Sequence, residues 1–280
     1  MIYPSYPNVN LAIGDRTNKS SRNLPLPREH GAWGLLLQPI LAAAVLVAGF
    51  SWYLLPVLAF ALNGFLLREP LTVFVRHRYL WKRNSAESQV AKQWLIATMA
   101  GVALSAGILS LVFPPEILLS ILLLGAALTG FAVFMTLRNR QRSLALQIFS
   151  AVSLTGSGWL VFLMFPETPA HIPWTLWGLM AVHAIAAIPI VHCRLERKAQ
   201  KPRAASLENG ASILVALSPL TCFLLPNLWA PLAFSAAANL WELVRLRDQK
   251  QLSQPLNRVG LRLLAASLIH TALTVMALQP

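Results

Sequence analysis

GAWGLLLQPILAAAVLVAGF, Gly31 to Phe50, carries no charge over twenty residues. At 1.5 Å rise per residue such a stretch crosses the roughly 30 Å hydrocarbon core of a bilayer as one helix, which satisfies its own backbone N–H and C=O groups where no water can. Outward from it the pattern repeats. Apolar runs follow at Tyr53–Leu67, Trp94–Phe113, Ile117–Leu137, Leu144–Phe165, Trp174–Val191, Ile213–Leu228, Trp229–Val244 and Leu261–Leu278. The seventh is the weakest, because Pro219 interrupts it and only Pro226-Asn227 offers a turn before the eighth. At 56% hydrophobic and 12% charged, the chain has too few charged side chains to cover a soluble globule. The expected fold is all-α, a polytopic membrane protein of about nine transmembrane helices.

Charge sets the orientation. With Met1 in the cytoplasm, the inside segments are residues 1–30, 68–93, 138–143, 192–212 and 245–260, with Arg262 just inside the last span. Together they hold all 23 Lys and Arg residues. The loops at Ser51-Trp52, Pro114–Glu116, Glu167–Pro173 and Pro226–Leu228 hold none, so the positive-inside rule supports nine spans, an inside amino terminus and a carboxyl terminus on the opposite side. The setting expected is a bacterial-type inner or thylakoid membrane. Residues 1–26 read as a disordered cytoplasmic tail without a signal-peptide core, and 27–280 as one transmembrane domain. The net charge of +13 follows from topology and anionic headgroups, so no nucleic-acid partner is expected. Cys193 and Cys222 fall near opposite faces and should not pair.

Several polar residues stand where lipid makes them costly. Arg28, Glu29 and His30 crowd the amino end of the first helix, where free N–H groups favour an anion; a cap explains Glu29, and a polar rim shared with Trp33 explains all of them. Asn63 lies about 7 Å along the second helix from Arg68 and Glu69, within the hydrocarbon, where a functional site is the default reading. Glu69 precedes Pro70 and should mark the end of that helix. The following LTVFVRHRYLW reads as an amphipathic segment lying on the membrane surface, with Arg76 and Arg78 toward water. The first two helices, joined by a tight turn, should bring Glu29 and His30 within about 10 Å of Arg68-Glu69 to offset the cost of charge near lipid. His192 and Glu196 share a face if the sixth helix continues that far, as an ion pair or a weak metal motif. Gln38, Gln147, His183, Asn239, Glu242 and His270 should mostly make interhelical hydrogen bonds. No glycine-rich phosphate loop, zinc motif or nucleophile elbow is present.

PREHGAW at Pro27–Trp33, with Arg68-Glu69-Pro70 and the basic stretch after it, resembles the YwiC-like family of integral membrane proteins. More distantly, nine helices with charged motifs after the second and sixth resemble UbiA-type intramembrane prenyltransferases. Those hold a prenyl diphosphate through magnesium on Asp-rich motifs. Here Asn63 survives and the acids are gone; His192-Cys193-Arg194-Leu195-Glu196 keeps one acid. The resemblance implies magnesium as a cofactor, yet the acidic motifs for it are missing. Arginine is the other way to hold a diphosphate, since its planar fork meets phosphate oxygens two at a time. Arg28, Arg68, Arg76, Arg138 and Arg194, if they converge, could take the headgroup with little metal.

The expected function is that of a divergent UbiA-like membrane transferase binding an isoprenoid diphosphate, or a similar anionic amphiphile, at its cytoplasmic rim. Arg28, Glu29, Trp33, Asn63, Arg68, Arg76, Arg138, His192 and Arg194 would bind substrate; His30, Glu69 and Glu196 would handle protons or metal. The alternative is a non-catalytic protein that binds lipid, quinone or pigment, or helps assemble a membrane complex. A transporter ranks last, because the outer halves of the helices read as almost wholly apolar.

Overall fold

Runs of apolar residues free of turn signals fold as helices, and their polar flanks prolong them. The structure, a computed structural model, describes residues 30–47, 49, 51–81, 86–138, 140, 143–200, 208–213 and 226–279, and no strand occurs among them. In chain order the helices are α1 (His30–Leu46), α2 (Leu54–Val75), α3 (Ala86–Leu109), α4 (Pro115–Leu137), α5 (Leu144–Thr155), α6 (Trp159–Phe162), α7 (His171–Lys198), α8 (Trp229–Arg245), α9 (Gln249–Leu252) and α10 (Leu256–Leu278). A single π turn, Arg76–Leu80, continues α2, and a 3-10 turn, Gly156–Gly158, joins α5 to α6. Six helices are long and apolar enough to cross a membrane: Leu54–Tyr79, Ala86–Leu109, Pro115–Leu137, Leu144–Phe162, His171–Lys198 and Asn257–Leu278. The chain is an all-α, polytopic integral membrane protein. The expected seventh span, and Cys222 with it, falls largely outside the described residues.

Three boundaries differ from the sequence reading. Pro70 does not end a helix at Glu69; it lies buried inside α2, which runs on to Val75. Proline removes one N–H and crowds one carbonyl, a local cost that lipid-embedded helices absorb by re-satisfying freed groups. Thr72 Oγ1 donates to Arg68 O at 2.8 Å beside it. Leu71–Val75 therefore extend the spanning helix instead of lying on the surface, and Arg76–Leu80 close it with the π turn. Likewise Arg194–Lys198 belong to α7 rather than to a loop, and α3 begins at Ala86, because Ala, Glu, Gln and Lys are strong helix formers. Much of the basic charge thus rides on helix ends.

Apolar packing joins Leu36, Ile40 and Ala43 of α1 to Val57 and Phe65 of α2, Leu109 of α3, Phe162 of α6 and Met180 of α7. The main partner of α2 is α3, and that of α1 is α10; α1 and α2 themselves touch sparingly. Trp33 nevertheless meets Phe65 edge-on at 5.2 Å, so the start of α1 lies level with the end of α2. Much of α4 faces outward, with Leu119, Leu123, Leu124 and Phe131 exposed, the surface that lipid covers. Tryptophans gather toward two levels. Trp33, Trp81, Trp94 and Trp241 lie toward the basic end, and Trp52, Trp159, Trp174, Trp177 and Trp229 toward the opposite one, as interfacial anchors do.

Close crossings replace apolar mass where α1 meets its neighbours. Ser157 Oγ donates to Leu36 O at 2.7 Å, and a Cβ at Gly158 would stand 2.8 Å from Pro39 O. On the other side Ser267 Oγ and Thr271 Oγ1 donate to Gln38 Oε1 at 2.6 and 3.2 Å, bonds worth roughly 0.6–2 kcal/mol in a membrane. Backbone cannot yield as a side-chain tip can. Gly158→Val is therefore expected to destabilise the protein by about 1–3 kcal/mol, read by thermal unfolding in detergent, while Gly178→Ala, with nothing within 4 Å, should leave the midpoint unchanged.

Candidate functional site

The basic end is built by the end of α7, the end of α8, α9 and the start of α10. Their registers agree: Glu242 near the end of α8 meets Arg262 near the start of α10, and Arg197 near the end of α7 donates to Leu246 O just past α8 at 2.9 Å. At the opposite end Leu179, Leu228 and Leu232 pack with Ala277 and Leu278. Asp248 caps α9, its Oδ1 accepting from Lys250 N at 2.8 Å, which shapes the connector between α8 and α10.

Arg194 lies under that connector and is 2% exposed. Its Nη2 donates to Gln251 O and to Leu252 O, the latter at 3.4 Å. Among the described residues, nothing accepts from its buried Nε and Nη1. A guanidinium carries five N–H donors, so three of them find no partner among those residues. Such a group is costly to leave unmade. Arg262, Glu242 and Arg245 are close enough for their charges to act on it. Glu242, 6% exposed, is held in a fork by Arg262, Nε to Oε1 at 2.8 Å and Nη2 to Oε2 at 3.1 Å, with Arg245 at 4.0 Å. Arg262 Nη1 also donates to Gln254 Oε1 at 2.8 Å, and Gln254 Nε2 to Gln251 Oε1 at 2.7 Å. Glu208 contacts Arg197, and Arg247 at 3.5 Å. Arg245 and Arg262 thus share Glu242, Arg197 and Arg247 share Glu208, and Arg194 donates only to backbone carbonyls among the described residues. The surplus favours an anion.

The other expected site residues have separate surroundings. Asn63 Nδ2 donates to Ala59 O at 2.8 Å, and its amide fills the space beside Gly101 of α3, where a Cβ would meet Oδ1. Arg68 Nη2 donates to Glu69 Oε1 at 3.1 Å. The Arg76 guanidinium lies 5.8 Å from the Trp81 ring, and Arg138 stands over Phe134 at 4.5 Å. His192 Nε2 bonds Gln147 Oε1 at 2.8 Å, and Glu196 follows one turn later on α7, half-buried, so the shared helix expected of the pair is present. His30 opens α1; Arg28 and Glu29, and the expected meeting of that cluster with Arg68-Glu69, lie outside the described residues.

Sequence PREHGAW pointed to one family, and comparison places it. Residues 26–162 match the model of the YwiC-like protein family. No protein of curated function and no solved structure matches the chain. The YwiC-like segment ends with α6, so the Arg194 cluster lies wholly in the carboxyl-terminal helices beyond it. Magnesium does not fit this cluster: among the described residues no three His, Cys, Asp or Glu come together as a ligand set, and Glu242 is already taken up by Arg262.

Sequence reasoning named Arg194 as a site residue but read Arg262 only as a topology signal and Glu242 only as a hydrogen-bonding residue, and it did not single out Gln251, Gln254 or Glu208. The available signal was a carboxylate in an apolar helix, which needs a cation nearby. The interhelical bonds expected of Gln38, Gln147, His183, Glu242 and His270 are present; Asn239 instead donates to Ser235 O of its own helix at 2.8 Å. His183 bonds Ser235 Oγ at 2.9 Å and stacks on His270 at 4.4 Å. The outer halves are therefore less uniformly apolar than expected.

Proposed function

We propose that the basic end faces the cytoplasm and binds an isoprenoid diphosphate, or an amphiphile with a similar anionic head, as part of a divergent UbiA-like transferase. The observation that carries this is Arg194, buried at a helix end with Nε and Nη1 unpaired and surrounded by more cations than anions. The surrounding lipid takes the isoprenoid tail. In transfer, the C–O bond to the diphosphate breaks and pyrophosphate leaves with the electron pair, its charge held by guanidiniums as the tail passes to an acceptor. Arg68, Arg76 and Arg138, each in surroundings of its own, would add long-range attraction, and Glu196, on the same helix as Arg194, would take the acceptor proton.

A second reading, a non-catalytic binder of the same amphiphile, is favoured by Glu242 being neutralised by Arg262 rather than free to act. One assay series addresses both. Thermal unfolding of the detergent-solubilised chain should rise with geranylgeranyl diphosphate and not with geranylgeraniol, a stabilisation of about 2.7 kcal/mol at a hundredfold excess over Kd. Equal shifts, or none, would remove the anion site. Pyrophosphate release with a phenolic acceptor marks the transferase; stabilisation without release marks the binder.

A further inference from the structure

We propose that the head bound at Arg194 is a phosphomonoester carrying two negative charges, with Arg245 as its second cation, and that the singly charged phosphodiesters of bulk lipid are rejected. This rests on the anion site proposed at Arg194 and names its ligand class. The charges that act on Arg194 are those of Arg262, Glu242 and Arg245. Three guanidiniums and one carboxylate leave two positive charges where the ends of α7 and α8 meet the start of α10.

The hydrogen bonds identify which cations carry that surplus. Arg262 commits Nε and Nη2 to Glu242 and Nη1 to Gln254 Oε1, so its charge is matched and its fork is occupied. Arg245 stands 4.0 Å from Glu242, too far for a hydrogen bond, with its guanidinium over the Trp241 ring at 5.0 Å. Among the described residues no hydrogen bond holds Arg245, and none holds Nε or Nη1 of Arg194. Arg245 keeps 25% of its side chain exposed and Arg194 is 2% exposed, so a head enters past Arg245 and ends on Arg194.

Charge matching then decides among heads. Away from bulk water the effective dielectric is lower, and a charge left unmatched costs more than it does at a wet surface. A phosphodiester brings one negative charge and leaves one of the two cations unmatched. A phosphomonoester, whose second ionisation lies at about pH 6, brings close to two at neutral pH and matches both. The terminal phosphate of an isoprenoid diphosphate meets the same requirement.

The test titrates phosphatidic acid and phosphatidylglycerol of the same acyl chains, a monoester and a diester, into the full chain in detergent. Wild type should bind phosphatidic acid about tenfold more tightly than phosphatidylglycerol. Arg245→Gln leaves one surplus charge and should bring the two within about twofold, chiefly by weakening phosphatidic acid. Arg245→Lys keeps the charge and should keep the wild-type ratio, as should Arg258→Gln at an exposed position on α10. Equal affinities in wild type, or a ratio that survives Arg245→Gln, overturn the proposal and leave the Arg194 site standing. Should Arg245→Gln fail to fold, Arg245→Lys decides: a ratio lost there means that shape rather than charge selects the head, which also overturns the proposal. Geranylgeranyl phosphate, the isoprenoid source of the same head, should compete with phosphatidic acid; a preference for the monoester without that competition upholds the charge class and removes the isoprenoid. A wild type that binds none of the three probes defeats the anion site itself.

Discussion

Glu242→Ala is expected to destabilise the folded protein by about 3 kcal/mol, the low end for breaking a buried ion pair. The cause is less the lost attraction than what remains: Arg262, Arg245 and Arg194 would face one another with no carboxylate among them. Arg262 keeps 29% of its side chain exposed, recovers some hydration, and so limits the loss. Removing the pair together, Glu242→Leu with Arg262→Leu, should cost less than Glu242→Ala alone, because no uncompensated charge is left. Unfolding in mixed micelles measures both. A single substitution costing under about 1 kcal/mol, or a double costing the sum of its parts, would mean that the charges are hydrated rather than packed.

The fold was legible where the physics is one-dimensional. A helix in lipid must satisfy its own backbone, so apolar length alone located α1, α4, α7 and α10, and the placement of every Lys and Arg gave the basic end. Helix ends were less legible. Pro70 signals a stop in water, yet α2 passes through it because the apolar residues Leu71–Val75 gain more from staying helical in lipid than one proline removes. Arg194–Lys198 looked like a loop because charge marks the interface, whereas the helix simply extends into it.

The site was half legible for a related reason. Any arginine beside a span obeys the topology rule, so Arg194, Arg245 and Arg262 look alike in sequence; only folding shows that Arg194 is buried and Arg262 is consumed by Glu242. Gln251 and Gln254 sit in a polar connector with no periodicity to single them out. Glu208 is thirty-four residues from Glu242, and its pairing with Arg197 and Arg247 depends on how 208–213 lies across two helix ends.

The second large effect concerns Arg194 itself. Arg194→Gln should weaken geranylgeranyl diphosphate binding about a hundredfold, the loss of one or two charge-assisted hydrogen bonds worth ~2.7 kcal/mol together. Arg194→Lys keeps the charge but not the planar fork, and should fall between, about tenfold weaker. Because Arg194 also ties down Gln251 and Leu252, each variant must first show the wild-type unfolding midpoint within a few degrees, so that a moved connector is not read as a lost ligand contact. Isothermal titration of geranylgeranyl diphosphate into wild type and Arg194→Gln, at one salt concentration, is then decisive: saturable binding by the wild type with about a hundredfold loss in the variant is the predicted result, and equal affinities in the two proteins would contradict the anion site.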